Sequence, residues 1–583
     1  VSQIWTTHSL TQEQEKQRDD LILRLKLHPL VAELLLQREI YGEKEIQRFL
    51  YGTLSDLPNP LLLKDMDLAV DRLIEAYAKK EKILFFGDYD VDGITGTSQL
   101  QSFFREMQLP TKVLLPHRMQ DGYGLTGASL QKIIAEKPDL LVTVDNGTTA
   151  QKEISYLKEK GIDVIVIDHH ETPSEKGYPP VVALINPKAA DSKFEERNIA
   201  SAGLVFLLLI ALRSQLRERG GSSLPNLKRY LDLAAMGTIA DIVPLTGTNR
   251  LIVKYGLEEI GNTSRPGLSA LMNVASVQAP VSASSVAFRL APRINAAGRL
   301  DHPHLALQLL LAQSKDEAEP LATRLDELNR ERQQIEIKVL EEAIHQVEKN
   351  QTDRKGIVVA SSGWHLGVVG IVAAKLTEKY HRPAVVLVLA EDHLEAKGSA
   401  RTVPGVSVYQ ALKNIEGEML RFGGHDAAAG MTIHRDNVEN FSRLFDQSVR
   451  KEWREEPLPK IHIDAELELH DINTALVKEL QLLEPHGAGN PQPVFSIPEV
   501  SLTGCRLVGN NHLKMRLSRG NCRMDAIGFN WGHYLETALK VDQHQIAFFP
   551  EINDWNGSLS IQLKIKAIMP SSNPKNHSLR EIK

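Results

Sequence analysis

Three aspartates stand two apart in FFGDYDVDGITG, at Asp88, Asp90 and Asp92, directly after an apolar run. Carboxylates this close repel one another unless a cation or a proton lies between them. The spelling D-x-D-x-D-G also opens a calcium-binding EF-hand loop, which needs a glutamate at its twelfth position and a helix in front. The twelfth position here is Gln99, and the preceding KILFF reads as a strand, so the calcium reading is set aside. Two further clusters also follow predicted strands. LLVTVDNGTT places Asp145 after one, and DVIVIDHHE places Asp168, His169 and His170 after another. Asp241, in AAMGTIADIVPL, is a lone acid in an apolar stretch. Each piece alone has a plainer reading, since an Asp after a strand often caps the next helix, and Asp241 would serve as a cap before Pro244. The case for a site rests on their convergence.

That convergence depends on the elements between them. Short apolar runs recur at KILFF (82–86), KVLLP (112–116), LLVTV (140–144), DVIVI (163–167) and VVALI (181–185). They are separated by amphipathic stretches such as GTSQLQSFFREM and TAQKEISYLKEK. Strand–helix repetition with runs apolar on both faces predicts a parallel sheet covered on both sides. The C-terminal ends of such strands line one edge, where ligands bind. Carboxylates and imidazoles without thiolates suit Mn²⁺ or Mg²⁺. Two such ions about 3.5–4 Å apart are a common device for phosphate-ester hydrolysis. The residues therefore point to a metal-dependent phosphoesterase.

A chain of 583 residues is too long for one core and predicts three or four domains. Hydrophobic and charged contents of 42% and 24% are those of an ordinary globular protein. No run of 18 apolar residues predicts a membrane span, and the first residues lack a signal-peptide pattern. The two cysteines, Cys505 and Cys522, form no metal or redox spacing, which fits a reducing cytoplasm. A net charge of -6 argues against wholesale coating of nucleic acid but permits a local basic groove. Residues 200–310 read as mostly helical, with the apolar helix at 201–216 as buried core. A charged stretch at 314–350, with Leu325, Leu328, Ile335 and Leu340 as a sparse stripe, reads as one long helix. A second α/β unit follows, and from about 460 alternating runs predict a small antiparallel barrel.

GDYDVDG, VDNGT, DHHE and GTIADIVPL, in that order, resemble the four motifs of the DHH phosphoesterase superfamily. APRINAAGRLDHP, SSGWHLGVVGIVAAKL, KGSARTVPG, FGGHDAAAGM and PHGAGNPQPVF narrow the resemblance to the RecJ family of single-strand-specific exonucleases. The match runs from about residue 50 to 570. It implies an α/β chain: an N-terminal helical segment (1–50), a parallel-sheet DHH catalytic domain (51–313) and a connecting helix (314–350). A DHHA1 domain (351–455), an OB-like β-barrel (456–570) and a tail (571–583) complete it. The implied activity is 5′→3′ hydrolysis of single-stranded DNA to mononucleotides with two Mn²⁺ or Mg²⁺ ions, in recombination and repair. By this resemblance Asp90 would bind the first metal and Asp92 the second. Asp145 would bridge both, and His169 and Asp241 would complete the second site. His170 would sit near the scissile phosphate or steady the ligands, with Asp88 and Asp168 in support. Phe86 stands where many DHH enzymes carry a histidine, so the first site has fewer protein ligands.

The same resemblance makes Arg118, Arg299, Ser399 and Arg401 a pocket for a 5′-terminal phosphate, with Gly423, Gly424 and His425 nearby. In the barrel, residues 501–524 hold Arg506, Lys514, Arg516, Arg519 and Arg523 and no acid. Alternation would place several on one face of a hairpin, as OB barrels require. A single-strand-binding protein and a RecQ-type helicase are partners implied by the family, and a cytoplasmic bacterial monomer is expected. Two other readings stand beside this one. A phosphodiesterase of short or cyclic oligonucleotides would be about half this length and lack the barrel. A non-catalytic replisome scaffold would have lost the ligands that are present here.

Overall fold

The structure is a computed structural model. It describes residues 4–7, 10–118, 120–172, 177–390, 394–453, 460–555 and 558–571. The expected domain boundary near 456 and the tail beyond 571 lie outside the described residues.

Two compact units emerge. The first contains residues 59–241 and 255–459. Its catalytic sheet has five parallel strands in the order Thr111–Leu114, Ile83–Gly87, Leu140–Val144, Asp163–Ile167 and Ala183–Ile185. Strands Ile83–Gly87 and Leu140–Val144 are buried along their whole length, as runs apolar on both faces require. Phe86 packs into the apolar cluster with Leu84, Ile133 and Val166. Helix Ser201–Glu218 is the apolar core helix expected, buried from Ser201 to Leu209.

One helix runs from Lys315 to Asn350, with Ser314 capping its first turn. A second sheet follows, ordered Met419–His425, Ala428–His434, Glu395–Arg401, Ala384–Leu389 and Ile357–Ser361. Only its last two strands pair in parallel.

The second unit joins three separate stretches: residues 3–58, 242–254 and the chain from 460 onward. Its barrel is made of Phe495–Val508, His512–Arg519, Cys522–Gly528, Ser558–Pro570 and His544–Trp555, and the last of these pairs back with the first. The N-terminal segment is helical from Gln12, but it opens with a strand, Ile4–Thr7, which pairs in parallel with Lys460–Ile463. IHIDAELEL therefore does not form one barrel strand. Its first part pairs with the N-terminus, and only Ala465–Glu466 joins the barrel sheet. Buried Arg250 ties the stretches together, donating to the carbonyls of Phe49 (2.8 Å), Leu483 (2.9 Å) and Leu482 (2.8 Å).

Candidate metal centre and anion pocket

Three strands of the catalytic sheet deliver an acid at the same level. The N–H of Asp88 donates to Val144 (3.2 Å), that of Asp145 to Ile167 (2.9 Å) and that of Asp168 to Ile185 (3.0 Å). The ladder thus continues one residue past each strand and pins the acid to the sheet edge. Asp145 adopts a left-handed φ of 66°, a conformation that aspartate tolerates better than most residues.

Asp90 is indeed a helix cap. Its Oδ1 accepts the N–H groups of Asp92 (3.0 Å) and Gly93 (3.2 Å), so capping occupies only one of its two oxygens. A Cβ on Gly93 would lie 2.4 Å from the Asp88 nitrogen, which explains the glycine of DVDG. Both oxygens of Asp92 accept N–H groups from the start of helix Ser201–Glu218, at 2.7 and 2.9 Å. The Ser201 hydroxyl donates to Asp145 Oδ1 at 3.0 Å. Asp241 ends helix Leu231–Ala240, and that helix approaches closely because a Cβ on Gly237 would lie 2.8 Å from Asp92 Oδ1.

His169 Nε2 stands 3.3 Å from Asp145 and 3.4 Å from Asp241. His170 Nδ1 stands 2.7 Å from Asp168 and 4.0 Å from Asp145. Three triads have ligand atoms within 4.8 Å of one another: Asp88, Asp90, Asp145; Asp92, His169, Asp241; and Asp145, His169, His170. Asp168 is fully engaged. One oxygen takes the His169 and His170 N–H groups and the His170 ring, and the other takes the Thr148 N–H.

The electrostatics fit a cation. Burial, and then repulsion from Asp90, pushes Asp88 and Asp145 well above the usual carboxylate range and Asp92 up to about 7. Burial and the charge of Asp92 push Asp241 up to about 9. Burial lowers the His169 imidazole to about 4, which leaves it neutral and able to ligate. Burial works against ionisation of Asp168 too, but its bonds to His170 and Thr148 hold it below the usual range. Buried Asp88 Oδ1 has no hydrogen-bond partner among the described residues. An orphaned carboxylate oxygen among crowded acids whose charged forms are disfavoured is what a divalent cation relieves.

A cavity of about 350 Å³ runs from Asp88 and Asp90 to Arg118 and Arg299, past Tyr89 and Tyr123. Arg118 lies over the Tyr89 ring at 5.1 Å. Arg299 donates to the Gly367 carbonyl at 2.9 Å, and Arg401 to the Ser399 hydroxyl at 2.8 Å. Burial, followed by the charge of Arg118, lowers Arg299 to about 10 and also lowers Arg401. These guanidiniums therefore feel one another across the chain, a mirror of the acid cluster. A Cβ on Gly370 would lie 3.2 Å from Arg401 and 3.3 Å from Ser399, so this glycine keeps the pocket open. Gly423, Gly424 and His425 lie on an exposed hairpin strand, and the His425 charge is felt at Glu171, beside His170.

In the second unit, Arg506 faces Lys514 across the barrel hairpin, Arg516 faces Asp525, and Arg523 faces Ser518. The exposed side of the hairpin therefore carries Arg506, Lys514, Arg516 and Arg523. Arg519 has the opposite parity and pairs with Glu468 at 3.0 Å. Asp525, just past the acid-free window, binds Arg516 at 3.1 Å.

Sequence reasoning missed several residues. The Tyr123 hydroxyl donates to the Asp145 carbonyl at 2.9 Å and lies 3.2 Å from His170 Nε2. Tyr89 was hidden between the aspartates. Ile242, 75% exposed, follows Asp241 with a φ of 60°, an outlier for a β-branched residue. The order of charged and small residues near the motifs gave no local signal for any of them.

Three family models match the chain: the DHH family N-terminal domain over 82–238, the DHHA1 domain over 353–451 and the RecJ OB domain over 463–567. The chain is 36% identical to the single-stranded-DNA-specific exonuclease RecJ of Bacillus subtilis, over 93% of its own length and 68% of that protein. To the Haemophilus influenzae protein of the same name it is 36% identical over 93% and 96%. For the Escherichia coli protein the values are 35%, 94% and 97%. A crystal structure of Thermus thermophilus RecJ with Mn²⁺ superposes with a TM-score of 0.82 at 31% identity, covering 97% of this chain and 79% of that one. The Mg²⁺ complex superposes with a TM-score of 0.76 at 29% identity, covering 97% and 78%. With this identity sustained over most of both lengths, the chain belongs to the RecJ family of single-stranded-DNA-specific exonucleases.

Proposed function

We propose that the chain is a metal-dependent exonuclease that degrades single-stranded DNA from its 5′ end to 5′-mononucleotides, in recombination and repair. One observation carries the polarity: a single cavity has Asp88 and Asp90 on one wall and Arg118 and Arg299 on another. A terminal phosphate held by arginines beside the acids sets the first internal phosphodiester at the reaction centre. Only an end presents a phosphate that is not continued.

Asp88, Asp90 and Asp145 would hold one Mn²⁺ or Mg²⁺, and Asp92, His169 and Asp241 a second. The ions, when bound, supply hydroxide from water and neutralise charge on the phosphate. The chain's own residues do the positioning. Asp145 touches both triads through His169 and is steadied by the Ser201 hydroxyl. His170, fixed at Nδ1 by Asp168, presents its other nitrogen beside Tyr123 to the substrate phosphate. Arg299, Ser399 and Arg401 bind the end, and Arg506, Lys514 and Arg523 on the barrel add backbone contacts that weaken with salt. A single-strand-binding protein and a RecQ-type helicase are the partners this role implies, with the chain acting as a monomer.

The test is digestion of end-labelled single strands with Mn²⁺. Mononucleotides should leave from the 5′ end, with little attack on blunt duplex. Release from the 3′ end would sink the polarity, and equal turnover of dinucleotides and long strands would favour a short-oligonucleotide phosphodiesterase.

A further inference from the structure

A second polar cavity, of about 350 Å³, lies in the first unit at the far ends of two helices that carry candidate metal ligands. Helix Val91–Glu106 has Asp92 in its first turn and Ser102 and Arg105 near its end. Helix Leu231–Ala240 ends at Asp241 and begins beside Tyr230 and Asp232. Ten helical residues separate Asp92 from Ser102, about 15 Å at 1.5 Å per residue. The cavity is thus distinct from the acid cluster.

Its floor is buried, with Ser102 3% exposed, Tyr230 1% and Asp232 3%. The Ser102 hydroxyl has no hydrogen-bond partner among the described residues. Other hydroxyls of the same helix behave differently. Thr95, Thr97 and Ser98 each donate one turn back, to Val91, Gly93 and Ile94. A buried hydroxyl left unpaired is costly, and this one lines a polar cavity.

The lining carries three arginines, Arg105, Arg229 and Arg265, and three acids, Glu106, Asp232 and Glu259, and the acids are already engaged. Asp232 is taken by Arg265 at 3.0 Å, and Glu259 by Lys228 at 3.0 Å. Glu106 accepts the Tyr230 hydroxyl at 2.7 Å. Arg229 and Arg105, by contrast, are held among the described residues by neutral oxygens, the Ser264 hydroxyl at 3.3 Å and the Leu311 carbonyl at 3.2 Å. Helix Pro266–Val274 begins here and adds partial positive charge, whereas helix Leu231–Ala240 continues directly from the helical turn Leu227–Tyr230.

We propose that this cavity binds a phosphate monoester of mononucleotide size, with its phosphate on Arg105 and Arg229 and its sugar–base part against Ser102 and Tyr230. The volume is in the range of small-molecule sites, roughly 300 Å³ and above. The nucleotide identity rests on the exonuclease reading, because such esters are what that reaction releases.

The test is calorimetric titration of the full chain, with Mn²⁺, by 5′-dAMP, deoxyadenosine and inorganic phosphate. Two dAMP sites are expected. Arg229→Ala and Arg105→Ala should each weaken one of them about tenfold or more, the scale of a lost charge-assisted hydrogen bond. Ser102→Ala should weaken the same site severalfold, and deoxyadenosine should not fill it. All three variants should cut single-stranded DNA at the parent rate in the absence of added nucleotide. Isotherms that superimpose on the parent, or phosphate binding as tightly as dAMP, would overturn the proposal. An Arg229-dependent site in a chain that does not cleave DNA would leave the cavity standing and remove the exonuclease reading. Cleavage with an Arg229-insensitive isotherm would do the reverse.

Discussion

Asp88 and Asp90 of the acid cluster share one cavity with Arg118 and Arg299 of the arginine pocket, and the two groups solve opposite problems. At the sheet edge, Asp88, Asp92, Asp145 and Asp241 are crowded until burial and mutual repulsion raise their proton affinity. Opposite them, Arg118, Arg299 and the nearby Arg401 are crowded until the last two lose proton affinity. Arg118 eases Asp88, but less than burial and Asp90 oppose its ionisation. Like charges assembled at this cost call for ligands of opposite sign, here cations on one wall and a phosphate on the other. The walls also differ in construction. The acids sit on strand ends and helix caps with a dense set of backbone N–H contacts, and the arginines reach in from separate elements, Arg118 over a tyrosine ring, Arg299 on one carbonyl and Arg401 on a hydroxyl and a carbonyl.

The largest effect should come from the acid wall. Asp145→Ala should lower cleavage by about 10³-fold or more, because it removes an acid belonging to two of the triads. DNA binding should persist, since the arginine wall is untouched. Activity surviving the change would break the comparison at its acid side.

A smaller and more selective effect should come from the arginine wall. Arg401→Ala should lower kcat/KM on 5′-phosphorylated ends by about 10- to 100-fold, as loss of a charge-assisted bond does. Strands with a 5′-hydroxyl should be cut at nearly the parent rate. Equal losses on both ends would mean that Arg401 supports the fold rather than the end.

The smallest effect is thermodynamic. An acid whose folded pKa lies above its unfolded value stabilises fully below the unfolded value, about 4, and loses that contribution as pH rises through the folded value. With Asp92 at about 7 and Asp241 at about 9, these groups should lower the melting temperature of the metal-free chain steadily from pH 4 to 9. Mn²⁺ replaces the protons, so its stabilising shift should be larger near pH 8 than near pH 6. A shift independent of pH would show that the ion binds elsewhere, and Arg401→Ala should leave the shift unchanged.

The two walls were unequally legible. Asp88, Asp145 and the Asp168–His170 run each follow an apolar strand directly, and Asp90 and Asp92 open the next helix, so the pattern of the chain placed them on one edge. The reading of Asp90 as a cap and its reading as a ligand were compatible all along, because a carboxylate has two oxygens. Asp241 stood out only as a lone acid in an apolar stretch, and its role, like the four pocket residues, came through family resemblance. Their neighbours Tyr89, Tyr123, Gly370 and Ile242 were not found at all. The barrel shows the same limit: alternation predicted a basic face, yet Arg519 fell on the other side and Arg516 met Asp525.

What the chain's order settles is therefore local. Apolar runs make strands, the residue after a strand lies at the sheet edge, and three such residues gather charge there. Packing settles the rest: which arginines, from residues 118, 299 and 401, meet across the cavity, and which glycines leave them room. Packing also brings Ser201 and Asp241 to the acids. The physical reason is range. A strand and its cap are decided within a few residues, whereas a charge pocket depends on distances between segments far apart in sequence, which only the folded chain brings together.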